Sequence, residues 1–207
     1  NAGYESASGF RAAFGHALGH SPKAGKGHSP NAGKGQATFP LLIDWIDSPQ
    51  GPMIAICDET SLYMLEFTVR KNLGPQMEKL RIKTGRAILP GRTAITDQIT
   101  HELTAYFAGT LMAFETPITL IGTPFQTRTW EALCRIPYGQ TCSYLELAHA
   151  VGSPKGFRAV ANSNANNRLA IIVPCHRVIS ASKGLGGYAG GLDKKRALLR
   201  LENKTQS

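Results

Sequence analysis

The sequence lacks long apolar runs and has no N-terminal segment of the secretory type. No stretch of its 207 residues approaches the roughly 18 consecutive apolar positions of a membrane-spanning helix. The N-terminus has no basic region followed by an apolar one, so no signal peptide is predicted. We therefore expect a globular protein of the cytoplasm with no membrane partner.

Cysteine is scarce, and its spacing excludes two common roles. The four cysteines, Cys57, Cys134, Cys142 and Cys175, form no C-x-x-C pair and no short cluster with histidine. Structural zinc and a disulfide framework are therefore not expected. Each thiol has to be explained singly.

Acidic residues are also few. The 14 Asp plus Glu stand against 23 Lys plus Arg, which gives a formal net charge of +9. Such an excess favours a polyanionic partner such as nucleic acid, although many basic proteins bind none. With 42% hydrophobic residues, the chain is long enough for one large or two small domains.

Residues 1–38 show no pattern of a self-contained domain. Residues 1–22 carry one short amphipathic helical pattern, which ends at Gly19 and Pro22. An imperfect tandem repeat, HSPKAGKG followed by HSPNAGKG, covers 20–35, and residues 23–38 are predicted to be a flexible linker. The lysines of this linker could touch DNA phosphates; a merely solvated linker is the alternative.

Residues 39–121 predict an α+β subdomain. Short apolar runs up to Val69 are split by turn signals, which is typical of a small strand meander. Helices are predicted over 74–83 and 93–107, and a further strand near Ile118. Nothing in this part indicates a catalytic site.

Residues 122–207 contain three helix-start signals. Thr123 and Ser143 each stand three residues before a Gln or Glu, which is the capping-box spacing. Ser153 is predicted to cap a third helix, with Pro154 in its first turn. Two short helices joined by so few residues predict a helix-turn-helix.

The second helix of that pair is predicted to be thin and cationic. Gly156, Ala159 and Ala161 keep it narrow, while Lys155 and Arg158 supply positive charge. Such a helix can approach a nucleic-acid backbone closely. Tight packing of its small residues against a neighbouring helix is the alternative.

The apolar run before Cys175 leaves open whether this thiol is buried or reactive. Burial is the usual fate of a cysteine. Pro174, however, is expected to end a strand just before Cys175 and so to place the thiol near a rim. The following His176 and Arg177 would lower the pKa of the thiol. A glycine-rich loop over 182–191 suits close approach by a ligand.

His176 could activate Cys175 only under a geometric condition. Neighbouring residues on a regular strand point to opposite faces, so a bend or a bridging water is required. A carboxylate behind His176 would complete a relay, and only Glu202 and Asp193 follow Cys175 as acidic residues. A solvated carboxylate at the end of the final helix is the alternative for Glu202.

The segment IVPCHRVI over 172–179 is similar to the active-site signature of the O6-alkylguanine-DNA alkyltransferases. The segments TPFQTRTWEALCRIPYGQTCSY, SPKGFRAVANSNANN and GGYAGGLDKKRALLRLE agree with that family in order and spacing over 123–202. Residues 3–22 resemble the last helical hairpin of AraC-type regulators. The whole therefore resembles the C-terminal part of an Ada-type bifunctional repair protein and transcriptional regulator.

This resemblance implies a fold and a partner. The fold would be α+β, with a small ribonuclease H-like subdomain over 39–121. A mostly helical, winged-helix-like alkyltransferase domain would follow over 122–207. The partner would be double-stranded DNA containing alkylated guanine, the protein would be a monomer, and no cofactor or metal would be needed.

The resemblance also implies a role for each matching residue of the active site. Cys175 would accept the alkyl group, activated through a water held by His176, and Glu202 would orient the imidazole. Tyr144 would assist departure of the guanine oxygen, and Asn167 would hold the turn that leads to the active-site strand.

The remaining implied residues contact DNA or the extruded base. Arg158 would enter the duplex from the minor groove and fill the gap left by the flipped nucleotide. The implied DNA-binding set also includes Ser153, Lys155, Gly156 and Ala159. The implied base pocket is lined by Tyr188, Ala189, Val173 and Pro174.

Two positions depart from common family patterns. Ala170 stands where many members carry proline, and Ala189 where several carry serine. The first change is expected to widen the pocket, and the second removes a hydrogen bond to the base. Both bear on the range of alkyl groups accepted.

Alkyl transfer would leave a stable thioether on the protein, so each molecule would act once. Three alternatives compete with this stoichiometric transfer. A non-catalytic lesion-binding relative would lack the acceptor, and Cys175 argues against it. A Cys-His-Glu hydrolase would turn over without a lasting mark on the thiol. A transcriptional regulator could use alkyl transfer only as its sensor.

Overall fold

The computed structural model describes residues 39–181 and 184–205. The expectations for residues 1–22 and for the linker over 23–38 fall outside these residues. Within the described part, no helix combines the length and the apolar character that a membrane crossing requires.

The N-terminal part is built on a four-stranded sheet in the order β3-β2-β1-β4. Its strands are β1 (Leu41–Ile46), β2 (Met53–Cys57), β3 (Leu62–Phe67) and β4 (Ile88–Pro90). The first three pair antiparallel as a meander, and β4 pairs parallel with β1. The predicted meander is confirmed.

Two helices cover the two faces of this sheet, α1 (Leu73–Thr84) and α2 (Ala94–Phe107). The central strand β2 is buried throughout, since alternate side chains point to opposite faces. Ile54 shares one core cluster with Leu80 of α1, and Met53 shares the other with Ile99 of α2. Both helices start and end within one residue of the predicted bounds.

The predicted strand near Ile118 is wrong. The structure has a single parallel bridge there, between Leu62 and Ile118. Leu62 donates its N–H to the carbonyl of Pro117 and accepts from the N–H of Thr119. Pro117 has no N–H with which to extend the ladder, so the pairing stops at one residue.

The C-terminal part is mostly helical. It contains α3 (Pro124–Cys134), β5 (Cys142–Ser143), α4 (Tyr144–Ala150), α5 (Phe157–Ala165), β6 (Val178–Ile179) and α6 (Leu192–Lys204). Thr123 and Ser143 form the predicted capping boxes of α3 and α4. The short strands β5 and β6 pair in parallel.

The predicted cap at Ser153 is wrong, because α5 starts at Phe157 with Gly156 as its N-cap residue. The N–H of Ser153 donates to the carbonyl of Ala148 and so closes the end of α4, beside Gly152 in the left-handed conformation. Residues 153–156 then form a turn in which Gly156 donates to the Ser153 carbonyl at 2.7 Å. A Cβ atom at position 156 would collide with the Ser153 hydroxyl, which would have to move.

One core joins the two parts. Phe67 of the sheet belongs to the same buried cluster as Trp130 of α3 and Leu198 of α6. The backbone of Leu65 in β3 donates to the carbonyl of Arg168 and accepts from the N–H of Ala170, both at 2.8 Å. The sheet is therefore bonded directly to the segment that precedes Cys175.

Candidate active site

A cavity of about 460 Å³ opens in the C-terminal part of the molecule. Its lining residues are Tyr144, Ala161, Asn164, Ala165, Cys175, Gly187, Tyr188 and Ala189. Cys175 is 8% exposed and forms part of this wall. The structure thus brings four of the predicted site residues, Tyr144, Cys175, Tyr188 and Ala189, to one cavity.

Two residues predicted for the pocket do not line this cavity. Val173 is fully buried in the core, and Pro174 is buried as well. The prediction assumed a strand that presents its side chains to a ligand. Instead, Val173 contributes its carbonyl, which accepts a hydrogen bond from Asn167 at 2.8 Å.

Sequence reasoning missed one wall of the cavity, formed by Ala161, Asn164 and Ala165. These residues lie three and four positions apart and therefore share one face of α5. The small residues of this helix were interpreted as room for a DNA backbone. Their helical spacing is the signal that could have shown a pocket-facing side.

The predicted active-site strand is also wrong. Val173 donates its N–H to the Leu169 carbonyl at 2.9 Å, and Cys175 donates to the Val173 carbonyl at 2.8 Å, so the chain is coiled. Ile171 has a φ of 71°, and Cys175–Arg177 form one turn of 3₁₀ helix. The opposite-face objection no longer applies, because a 3₁₀ turn rotates each residue by about 120°.

The buried side chain of Asn167 holds this coiled segment through hydrogen bonds. Its side-chain oxygen accepts from the N–H of Leu169 at 3.0 Å, and its amide nitrogen donates to the Val173 carbonyl. The same nitrogen lies 3.2 Å from the sulfur of Cys175 and donates to it. Asn167 therefore holds the turn and directs a hydrogen-bond donor at the thiol.

The thiol of Cys175 is protonated in the resting protein. Burial raises its pKa to about 11; the hydrogen bond from Asn167 opposes this rise, as do the charges of Lys195 and Arg70, while Glu66 adds to it. Only a small fraction of such a thiol is ionised at neutral pH. A nearby base must therefore take its proton before it can react.

Glu202 is the centre of a buried hydrogen-bond network, so the solvated alternative for this residue is wrong. Its carboxylate accepts from Nε2 of His176 at 2.8 Å and from Nε of Arg177 at 2.9 Å. Tyr106 and the N–H of Gly139 donate to it as well. Burial alone would raise the pKa of Glu202, but the His176 and Arg177 hydrogen bonds hold it at about 2.

This network leaves one nitrogen of His176 as an acceptor. Burial lowers the pKa of His176, so the ring is neutral. Because Nε2 carries the proton toward the Glu202 carboxylate, Nδ1 holds a free lone pair. Nδ1 is buried and has no hydrogen-bond partner among the described residues. His176, the residue after Cys175, therefore carries a nitrogen that can accept a proton.

Two phenols border the cavity, and both remain protonated. The hydroxyl of Tyr144 donates to the Gly187 carbonyl at a long 3.4 Å, and burial raises its pKa. The hydroxyl of Tyr188 is buried without a partner among the described residues, and burial raises its pKa further. Each can donate a hydrogen bond to a ligand.

Lys195 is a further residue that sequence reasoning missed. It is fully buried, and its ammonium donates to the carbonyls of Val178 and Gly187. Burial lowers its pKa to about 8, while Cys175 counteracts this shift. The run of charged residues in α6 gave no signal that distinguishes this lysine from its exposed neighbours.

The predicted DNA-binding residues cluster at the start of α5. Arg158 is exposed, and its guanidinium lies 5.6 Å from the ring centroid of Phe157. It stands one helical turn before Ala161, on the side of α5 that borders the cavity. Ala159 is exposed in the helix. Lys155 and Gly156, predicted within the helix, lie with Ser153 in the turn that precedes it.

The two departures from the family pattern lie in different places. Ala189 lines the main cavity, as expected. Ala170 does not line it but lines a much smaller cavity together with Cys175, Tyr188 and Ala189, so the expected widening of the pocket stays a prediction. Its N–H donates to Leu65 of the sheet, a bond that proline could not make.

Together these contacts define a class of protein. The thiol faces an open cavity, the next residue is a neutral imidazole whose Nδ1 has no partner among the described residues, and an exposed arginine lies on the cavity side of α5. This arrangement is typical of a protein in which a cysteine thiol reacts with a ligand that enters the cavity from solvent.

Family profiles identify the class further. The profile described as "6-O-methylguanine DNA methyltransferase, ribonuclease-like domain" matches residues 41–120. The profile described as "6-O-methylguanine DNA methyltransferase, DNA binding domain" matches residues 124–204. The chain belongs to the 6-O-methylguanine DNA methyltransferase family.

Individual relatives agree with this assignment. The chain is 46% identical over 161 residues to the methylated-DNA--protein-cysteine methyltransferase of Mycobacterium tuberculosis, covering 76% of this chain and 89% of the relative. It is 40% identical over 159 residues to the Methanosarcina barkeri protein of the same name, covering 77% and 95%. The crystal structure of Mycobacterium tuberculosis OGT in complex with DNA matches with a TM-score of 0.68 and 41% identity, covering 79% of this chain and 94% of that one.

Proposed function

We propose that this protein repairs DNA by transferring the alkyl group of O6-alkylguanine directly and irreversibly to Cys175. The observation that carries the proposal is the position of Cys175. Its sulfur faces a cavity of about 460 Å³ while Asn167 donates to it at 3.2 Å. Cavities of roughly 300–1,000 Å³ are typical of small-ligand sites, and an extruded base is such a ligand.

The transfer is an in-line displacement. Nδ1 of His176 takes the thiol proton of Cys175 through a bridging water, and Glu202 stabilises the imidazolium that results. The thiolate then attacks the alkyl carbon, and the carbon–oxygen bond breaks with its electron pair moving to O6 of guanine. Tyr144 donates a hydrogen bond to the departing base, which takes up a proton through water as the His176 imidazolium gives up the one that came from the thiol. The products are guanine and S-alkylcysteine.

The proposed partner is double-stranded DNA containing alkylated guanine. Base chemistry of this kind requires extrusion of the nucleotide, which costs a few kcal/mol of stacking and pairing. Exposed Arg158 lies beside the cavity, where it can fill the gap in the duplex. The net charge of +9 supports contact with the phosphates. The helices α4 and α5 would dock as a winged helix-turn-helix.

Finer features of the proposal rest on the sequence alone. The resemblance of residues 3–22 to AraC-type regulators supports origin in an Ada-type protein, in which the alkylated Cys175 would also act as a signal. A cytoplasmic location and a monomeric state are further predictions. Gel-shift assays with methylated and unmethylated protein on promoter fragments test the regulatory role.

A titration separates transfer from hydrolysis. A fixed amount of protein is mixed with increasing excess of a duplex that carries labelled O6-methylguanine, and the guanine restored is counted. Transfer to a thiol predicts a plateau at one lesion per protein molecule. A Cys-His-Glu hydrolase would continue past that plateau, and this result would overturn the proposal.

A further inference from the structure

A second buried ion pair lies outside the residues described above as the active site. Glu66 at the end of β3 contacts Arg70, and both residues are 4% exposed or less. A buried pair of charges loses its hydration, so it is weak evidence for stability. The other hydrogen-bond partners of Arg70 indicate a role for this pair besides stability.

Arg70 reaches out of the sheet to the end of α5. Its Nη2 donates to the carbonyl of Ala165 at 2.6 Å, and its Nη1 donates to the carbonyl of Asn167 at 2.7 Å. The last carbonyls of a helix have no partner within the helix, and a cation there is favoured by the helix dipole. Nε of Arg70 donates to Asn72 at 2.7 Å, so the guanidinium is fixed along its length.

The second of these carbonyls leads directly to the reactive sulfur. Asn167, whose backbone Arg70 holds, donates through its side chain to Cys175 at 3.2 Å. Leu65 of the same strand bonds the backbone of Arg168 and Ala170 on the far side of Asn167. The sheet therefore holds the chain on both sides of the residue that contacts the thiol.

We propose that Arg70, oriented by Glu66, is a positioning residue for alkyl transfer: it fixes Asn167 so that the Asn167 amide donates to the Cys175 sulfur. The N-terminal sheet thereby acts on the reactivity of a thiol that lies in the other part of the molecule. This inference rests on the proposed role of Cys175 as the alkyl acceptor.

The double variant E66Q/R70M is the main test. Removal of Arg70 alone would leave the Glu66 carboxyl buried without its partner and would endanger the fold. The double variant removes one charge of each sign, so the opposed effects of Glu66 and Arg70 on the thiol pKa are lost together. What remains is the loss of the two hydrogen bonds that hold Ala165 and Asn167.

Arg86→Met is the matched control. Arg86 also belongs to the N-terminal part, pairs with Asp58 at 2.7 Å and donates to the carbonyls of Phe39 and Pro40. Its bonds stay within the N-terminal part, away from Asn167. Arg70→Lys keeps the charge but lacks the planar guanidinium group that donates to both carbonyls. Its rates are therefore expected to lie between those of wild type and E66Q/R70M.

Two rates are measured on each protein. The first is methyl transfer from an O6-methylguanine duplex. The second is carbamidomethylation of Cys175 by iodoacetamide at pH 8, followed by peptide mass spectrometry with exposed Cys134 as internal reference. Alkylation by iodoacetamide needs the thiolate, and a lost hydrogen bond to the sulfur lowers the thiolate fraction. General loss of structure would instead expose Cys175 and speed this reaction.

The proposal predicts that E66Q/R70M slows both reactions at Cys175, by about tenfold, with Arg86→Met and the Cys134 rate unchanged. Slower methyl transfer with an unchanged or faster carbamidomethylation would overturn it, since Arg70 would then serve only the fold or DNA binding. Equal rates in wild type and double variant would overturn it too. Failure of wild type to accept a methyl group on Cys175 would instead contradict the proposed function.

Discussion

Cys57 and Cys175 are both buried, yet their surroundings differ in kind. Cys57 is fully buried in β2, with its sulfur 3.2 Å from the hydroxyl of Thr93 and 3.1 Å from that of Thr96. Cys175 is 8% exposed, faces a cavity and receives a hydrogen bond from Asn167. Exposed area alone therefore does not separate a core thiol from a reactive one.

The difference lies in access and in the nearby base. The contacts of Cys57 are neutral hydroxyl groups packed between sheet and helix. Cys175 is followed by a neutral His176 whose proton is directed at Glu202, while Nδ1 has no hydrogen-bond partner among the described residues. A reactive thiol thus needs a cavity through which the ligand can reach it and a group that can accept its proton. Cys175 has the cavity, and His176 supplies the acceptor nitrogen.

The largest expected effect comes from the acceptor itself. Cys175→Ser should abolish methyl transfer, because a serine hydroxyl is far less acidic than a thiol and is a poor nucleophile without stronger activation. Cys57→Ser should transfer at close to the wild-type rate. Restoration of guanine in a labelled duplex measures both. Full activity of the Cys175 variant would reverse the comparison between the two thiols.

Removal of the carboxylate behind the base should have the next largest effect. Glu202→Gln should slow methyl transfer by about 10²-fold, since general-base catalysis typically contributes 10²–10⁴. Asp193→Asn is the control, because Asp193 lies exposed on the same helix and pairs with Arg196. Single-turnover rates from pH 6 to 9 measure the effect. Equal rates for the two variants would remove Glu202 from the mechanism.

Glu202 should also make the protein acid-sensitive. Its folded-state pKa of about 2 lies below the unfolded value near 4.5. The stabilisation is therefore complete above about pH 4.5 and is lost as the pH falls toward 2. We expect a loss on the order of 2 kcal/mol between pH 6 and pH 3 in urea unfolding. The Glu202→Gln curve should be flatter, and a parallel curve would contradict this assignment.

Arg158→Ala should have a smaller and more selective effect. Repair of duplex should fall by roughly tenfold, while the reaction of Cys175 with free O6-benzylguanine should stay within about twofold, because only the duplex requires extrusion. Arg200→Ala is the control, on α6. Equal losses on both substrates would count against a role in base extrusion.

The smallest effect is expected in the turn before α5. Lys155→Ala should weaken binding of any duplex a few-fold and lower the salt dependence by about one phosphate contact, without changing the rate at saturating DNA. Fluorescence anisotropy between 50 and 200 mM salt measures this dependence. A change in the rate at saturation would show that Lys155 acts at the site and not only on binding.

Local signals predicted much of the fold. The capping boxes at Thr123 and Ser143 depend on residues three apart, so the sequence alone could show them. Ser153 followed by Pro154 is a weaker start signal without a Gln or Glu three residues on, and the predicted cap there is wrong because the N–H of Ser153 closes α4. That choice between two neighbouring helices is settled by tertiary packing, which no local pattern records.

The site could also be predicted in part from local sequence. Cys175 and His176 could be found as neighbours, and the family resemblance pointed to Glu202. The prediction of a strand before Cys175 was wrong, because hydrogen bonds of the Asn167 side chain hold that segment in a coiled conformation. Two partners of Arg70, the backbone carbonyls of Ala165 and Asn167, lie 95 and 97 residues away in sequence. Backbone carbonyls carry no sequence signal.

Peptide mapping of all four cysteines after reaction tests the central claim most directly. The protein is incubated with an O6-methylguanine duplex, digested and analysed by mass spectrometry. The predicted result is one methyl group on Cys175, with Cys57, Cys134 and Cys142 unmodified. A methyl group on another cysteine, or restored guanine with no methylated cysteine, would contradict the claim that Cys175 is the acceptor.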